Sequence, residues 1–292
     1  MFTIREPKPR VICALPFRDR VVQHALVESM LPSIDRELRT HTFACRRGLG
    51  THRALHLAAH YARLSRFVLV IDLRKFFPSV DHELLRRRLL RHTRTRLGRW
   101  LVRSVLSTRE GVEPVSFHFP GDDLLAPLMR PHGLPIGNLT SQVWANVHAA
   151  PIDHALASRL GLRRWVRYAD DVWVFSNDRG ELGRAWTELE LTATRQRLRL
   201  HLGKTHVQPT STPFRCLGFS IRRREAAVAI RLRGESLRRF KRRAHRLLRS
   251  VERGAVSRDD LRRSMLAWLA HARHGHTASL RRRELELLGR WV

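Results

Sequence analysis

Two short apolar runs separated by three residues constrain this chain more than any other feature. Arg164–Tyr168 and Val172–Phe175 are rich in β-branched and aromatic residues, and only Ala169-Asp170-Asp171 lies between them. Such spacing predicts a β-hairpin with two carboxylates at its tip. A third run, Phe67–Ile71 (FVLVI), reads as a buried strand that delivers Asp72 where the chain leaves the sheet. Taken singly, each feature also has a plain structural reading, because Asp is common in hairpin turns and at strand ends. Together they predict a compact anionic site.

That site sits in a very basic chain. Its 292 residues and 43% hydrophobic content are those of a folded globular protein with one large core or two to three lobes. The 56 Lys+Arg against 26 Asp+Glu leave a formal charge of +30, which makes a polyanion, nucleic acid first, the expected partner. Nearly all the basic residues are Arg, a bias that a GC-rich genome would also produce, which discounts the charge somewhat as functional evidence. No stretch of about 18 apolar residues spans a bilayer and no signal-peptide pattern opens the chain, so a soluble cytoplasmic protein with no membrane partner is expected. Cys13, Cys45 and Cys216 lie far apart without CxxC spacing, which argues against both a disulfide framework and a zinc site. His52, His56 and His60, at helical spacing, read as one helix face.

No repeat, low-complexity tract or Gly/Ser linker divides the chain. Residues 19–30 predict an amphipathic helix with Val21, Val22, Ala25, Leu26 and Met30 on one stripe and Asp19 as N-cap. A second helix is expected over about 51–64, after the Gly48-Leu49-Gly50 turn, and a third begins at Asp81. Residues 107–131 read as an irregular loop or hairpin insertion. Thr140 or Ser141 is expected to cap a helix that Pro151 kinks or ends. Phe214–Ile221 is a further strand candidate, and from about Leu232 the chain is helical and basic.

Nucleotidyl transfer needs two divalent cations about 3.5–4 Å apart, one acidifying the attacking 3′-hydroxyl and one neutralising the leaving pyrophosphate. Carboxylates fixed at strand ends hold Mg²⁺ well. With that chemistry in view, the chain resembles the RNA-directed DNA polymerases, or reverse transcriptases, from Arg10 to about Ile221. PRVICALPFRDRVVQHAL (9–26) and ACRRGLGTHRAL (44–55) are similar to the family's two fingers motifs, VIDLRKFFPSVDHELL (70–85) to its first palm motif and YADD (168–171) to its polymerase tip. HLGKT (201–205) and CLGF (216–219) resemble the two motifs that follow, the second being the hairpin that grips the primer. GLPIGNLTSQ (133–142) is most similar to reverse transcriptases of diversity-generating retroelements, through Ile136 and Gln142.

The resemblance implies an α+β right-hand polymerase: fingers over 1–66 with part of 86–131 inserted, a palm with an antiparallel sheet over 67–222, and a helical thumb over 223–292. It implies two Mg²⁺ ions, with Mn²⁺ as a substitute, held by Asp72, Asp170, Asp171 and the carbonyl of Leu73. Phe77 matches the steric gate that selects deoxynucleotides, with a core Phe as the plain alternative. Arg46 matches the fingers arginine that closes on the incoming triphosphate, a role open also to Arg47. Gln142 is expected to reach the nucleotide or template, and Lys204 to donate a proton to pyrophosphate or simply to be a solvated lysine. Ile136, Gly137, Tyr168, Leu217 and Gly218 are expected along template and primer.

The implied partners are a template RNA and its RNA–DNA hybrid, dNTP substrates and a small basic accessory protein. The implied product is an error-rich cDNA, with errors at template adenines, that replaces a variable repeat in a target gene. The Arg runs 238–246 and 281–283 suit a thumb tracking phosphates or ordinary solvated faces. Compared with relatives, the start is expected to be shortened. The rival readings are a retron-like or group II intron-like reverse transcriptase of ordinary fidelity, and a noncatalytic nucleic-acid-binding protein of polymerase shape.

Overall fold

The computed structural model describes residues 2–4, 10–108, 111–225 and 227–289; Pro9 of the first fingers-like motif lies outside them. Eleven α-helices and nine strands are present among the described residues: β1 (Phe2–Ile4), β2 (Arg10–Ile12), α1 (Phe17–Glu37), α2 (Thr51–Leu64), β3 (Phe67–Asp72), α3 (Phe76–Ser79), α4 (His82–Leu89), α5 (Arg96–Ser107), α6 (Ala126–Met129), α7 (Leu139–His154), β4 (Trp165–Tyr168), β5 (Asp171–Ser176), α8 (Arg179–Arg195), β6 (His206–Pro209), β7 (Phe214–Cys216), β8 (Phe219–Arg223), β9 (Val228–Leu232), α9 (Gly234–Glu252), α10 (Arg258–Ala272) and α11 (Ala278–Gly289). They fall into two compact units, one of Met1–Ala54 with Val68–Val207, the other of Leu55–Phe67 with Gln208–Val292. No helix among the described residues is long and apolar enough to cross a membrane.

The first unit carries a sheet in the order β4-β5-β3-β6, whose last strand runs on into the second unit. The middle strands are apolar on both faces, and Val68, Leu69, Ile71, Val172 and Val174 are buried, because helices cover the sheet and no alternation with polar residues is needed. Among the packed helices, α7 is buried along nearly its whole length. It contacts α1, α4 and α8. Asp81 starts α4 as expected, its carboxylate accepting from the Leu84 amide at 2.9 Å.

In the second unit, β7-β8-β9 form an antiparallel sheet. Beside it α9 buries Phe240, Ala244 and Leu248 at four-residue spacing. Phe240 stacks on Trp268 of α10 with centroids 3.9 Å apart, in a core shared with Leu261 and Met265. Ser257 and Asp260 close a capping box at the start of α10.

Several local expectations need correction. The first helix starts earlier and runs to Glu37, with Pro16 at its cap and Asp19 in its first turn. It buries Leu26, Val27, Met30 and Ile34, whereas Val21 and Val22 are exposed. Asn138, not Thr140 or Ser141, precedes α7, and Pro151 lies within it. The missing N–H there removes one helical bond, but burial on all sides holds the helix, and a π-helical turn over Ala155–Arg159 follows. Leu232 ends a strand, and helix resumes at Gly234.

Candidate active site

The site forms where β3 ends beside the β4–β5 turn. The register Trp165↔Val174 to Tyr168↔Asp171 leaves Ala169 and Asp170 as the turn and makes Asp171 the first residue of β5. Ala169 has φ of +53°, and a positive φ at the first turn position lets a two-residue connection follow the twist of its strands. The Leu73 amide donates to the Asp170 carbonyl at 3.1 Å, and the His201 amide to the Asp72 carbonyl at 2.8 Å. Backbone bonds thus fasten the residue after Asp72 to the turn on one side and Asp72 itself to the HLGKT segment on the other.

This arrangement gathers the three aspartates. Burial, then the charges of Asp170 and Asp72, push the Asp171 carboxyl up to about 7, with Lys204 opposing the rise. Lys204 Nζ donates to Asp72 Oδ2 at 2.7 Å, so of the predicted residues it is one that the fold does bring to the carboxylates. Three carboxylates and the Leu73 carbonyl are hard oxygen donors of the kind Mg²⁺ prefers. The charge repulsion felt by Asp171 is what a divalent cation relieves. Among the described residues no three acidic, His or Cys side chains are already closed into a coordination shell; Asp72 is held by Lys204.

Behind the turn lies a network that the sequence does not suggest. Arg167 is fully buried and binds Asp153 through Nε at 2.6 Å and NH2 at 2.8 Å. Its NH1 donates to Asn146 Oδ1 at 3.0 Å and to the Ala169 carbonyl at 3.1 Å. Thr42 Oγ1 donates to Asp153 Oδ2 at 2.6 Å, and Asn146 Nδ2 to the Ala44 carbonyl at 2.6 Å. One guanidinium therefore joins the turn, α7 and the 42–44 segment.

The other predicted residues are placed as follows. Phe77 is half-buried in α3, while its neighbour Phe76 is the core phenylalanine. Arg46 is committed to Asp35 at 2.8 Å and to the carbonyls of Arg39 and Thr42. Arg47 is largely exposed, with Glu28 at 2.9 Å. Gln142 is exposed near the start of α7, its Oε1 accepting from Cys45 Sγ at 3.4 Å. Ile136 is half-buried, and its carbonyl accepts from the Cys13 amide at 2.8 Å. Gly137, at φ +121°, has no room for a side chain, since a Cβ would lie 2.8 Å from Ile12 Cγ2 and 3.1 Å from the Cys13 carbonyl. The Tyr168 hydroxyl accepts from Thr51 Oγ1 at 3.0 Å. Leu217 and Gly218, both with positive φ, form the β7–β8 turn of the second unit.

A sheet with carboxylates on adjoining strand ends, covered by helices, defines the class as a right-hand polymerase fold. Residues 5–221 match the family described as reverse transcriptase (RNA-dependent DNA polymerase). The chain belongs to that family, whose members are RNA-directed DNA polymerases, a class of nucleotidyltransferases. Similar in fold is the solved structure of telomerase from Candida albicans in complex with the TWJ fragment of telomeric RNA, at 11% identity and a TM-score of 0.50. The match covers 73% of this chain and 38% of the telomerase chain, so this protein spans well under half of that neighbour's length. No curated protein matches the sequence.

Proposed function

We propose that the protein copies a template RNA into cDNA, with Asp72, Asp170 and Asp171 as the acidic centre, and that it serves a diversity-generating retroelement. The observation that carries the first part is the Leu73-to-Asp170 backbone bond, which sets Asp72 beside the turn, where burial and then the two neighbouring carboxylates raise Asp171 to about 7. Asp72, Asp170, Asp171 and the Leu73 carbonyl would hold two Mg²⁺ ions. When bound, these supply an acidified 3′-hydroxyl and charge neutralisation of the leaving pyrophosphate.

The chain's own residues do the rest. The 3′-hydroxyl gives its proton to solvent, its oxygen bonds to the α-phosphorus as the bond to pyrophosphate breaks, and Lys204, which donates to Asp72, would give pyrophosphate its proton. Phe77 serves as the sugar gate. Arg46, with its donors engaged by Asp35 and two carbonyls, anchors the fingers motif. The exposed Arg47 is then the freer of the two to meet a triphosphate. Gln142, Ile136, Gly137 and Tyr168 line the template and nucleotide side, and Leu217 and Gly218 form the primer-gripping turn. Fingers, palm and thumb take 1–66 with part of 86–131, 67–222 and 223–292. RNA as template suits the +30 charge, and the telomerase neighbour was solved with RNA.

The retroelement assignment rests on Ile136 and the Ser141-Gln142 pair. Ile136 brings no polar side-chain atom to a loop whose backbone is clamped against Cys13 and Ile12. Loss of such a contact weakens discrimination at the template base. A small basic accessory protein belongs to this reading. The test is primer extension on an RNA template with dNTPs and Mg²⁺, beside an Asp170→Ala, Asp171→Ala variant, with products sequenced. Extension lost in the variant and misincorporation clustered at template adenines support both parts. Accurate extension leaves a retron-like or group II intron-like enzyme. No extension with Mn²⁺ and partner added leaves a binding protein of polymerase shape.

A further inference from the structure

Two residues beyond Asp72 the chain begins a ladder of alternating cations and aromatic rings. The Arg74 guanidinium lies 5.5 Å from the Phe117 ring centre and that of Arg199 lies 5.1 Å from the same ring. Arg199 also lies 5.6 Å from the Phe119 ring, whose other neighbour is Arg130 at 5.4 Å. One backbone bond and one side-chain bond keep the ladder in register, the Arg74 amide donating to the Arg199 carbonyl at 2.8 Å and the Arg199 guanidinium NH2 to the His118 carbonyl at 2.6 Å.

The two ends of this ladder differ in charge. Arg130 is neutralised by Asp122 and faces Asp81 at 3.6 Å. Arg74 and Arg199 have no ion pair among the described residues, although both are exposed and share one ring. The shared ring holds two like charges side by side, which a bound anion would neutralise. They open onto a cavity of about 590 Å³, lined also by His118, Phe119, His201 and, as the one acid among the described residues, Glu190. That volume falls within the range of small-ligand sites.

The geometry points to a second phosphate-binding site here, in a cavity that none of the three aspartates lines. Paired guanidinium forks match phosphate oxygens, and a basic groove with an aromatic wall is what takes a phosphate next to a base. The ligand is a phosphate group, supplied either free, as nucleotide or pyrophosphate, or within a single RNA strand. The site does not depend on the polymerase reading, because it is measured as binding without turnover.

The experiment uses the full chain carrying Asp170→Ala and Asp171→Ala, in EDTA, titrated calorimetrically with pyrophosphate, dATP and a single-stranded RNA decamer. Arg74→Gln with Arg199→Gln is compared with a charge-matched Arg96→Gln, Arg99→Gln control on α5. The expected result is at least a tenfold loss of affinity in the first pair and less than twofold in the control. A loss for pyrophosphate and dATP identifies a free ligand, and a loss for the decamer alone identifies a strand. Equal losses in both pairs for every probe overturn the site. Should the Arg74, Arg199 variant fail to fold, phenylglyoxal modification of the unsubstituted chain decides: the two arginines become protected by probe, or their equal labelling with and without it refutes the proposal.

Discussion

Arg167 shows what a single residue does for the site. Its guanidinium and the Asp153 carboxylate are both withdrawn from water, and removing one partner of such a pair strands the other charge at a cost of about 3–5 kcal/mol. Urea denaturation of Arg167→Leu should show a loss of that size, whereas Arg167→Leu combined with Asp153→Leu should recover much of it; equal stability of the single variant and the parent would refute this role. His148 offers a pH prediction. Complete burial lowers its pKa to about 4, and a proton on Nδ1 would find no acceptor among the described residues, where Nε2 alone is bonded, to the Gln196 carbonyl at 3.0 Å. Between about pH 6.5 and 4 the unfolded chain takes up a proton that the folded chain refuses, so stability falls with falling pH, by up to about 3 kcal/mol at the lower end. Thermal unfolding across that range should show the fall, and His148→Gln should flatten it. The aspartates are readable in the sequence because strand-end carboxylates in an Arg-rich chain contrast with their surroundings. Arg167 is not, since one buried arginine among so many looks like any solvated one.

At the level of elements, Asp81 joins a helix start to a tertiary contact. One oxygen caps α4 and the other takes Arg197 at 2.6 Å, with Arg130 beyond at 3.6 Å. Asp81→Ala should cost about 2–3 kcal/mol, from a lost cap together with unpaired cations. Asp81→Asn, which keeps an acceptor for Leu84, should cost less than half of that in the same denaturation series. The start of α4 is legible because the cap residue, the acidic first turn and the leucines all agree. Helices α5 and α8 are harder to see in the sequence, although Thr95 and Asp178 cap them, because Gly98, Gly180 and Gly183 break up their apolar pattern. The end of α7 misleads for a different reason. Pro151 signals a kink or a stop locally, and the helix does not stop there, because burial among α1, α4 and α8 supplies packing that no local signal carries. Strand β9 is obscure because its run is short and mixes arginine among its apolar residues.

For the whole molecule the governing property is the charge of +30, and the question is whether it binds nucleic acid evenly or along one surface. Helix α9 turns Phe240, Ala244 and Leu248 inward, which leaves Arg238, Arg242, Arg243 and Arg246 exposed. A face of this kind on a thumb would track phosphates, releasing counterions as it does so. Affinity for an RNA–DNA hybrid should then fall about 10³–10⁵-fold between 50 and 200 mM salt. Replacing Arg242, Arg243 and Arg246 by Gln should reduce the slope of log affinity against log salt by about 2–3, and should weaken hybrids of every sequence alike. Fluorescence anisotropy with a labelled hybrid, titrated at several salt concentrations, measures both quantities. An unaltered slope would mean that α9 is a solvated face and that the binding charge lies elsewhere, because counterion release counts only the cations that meet phosphate.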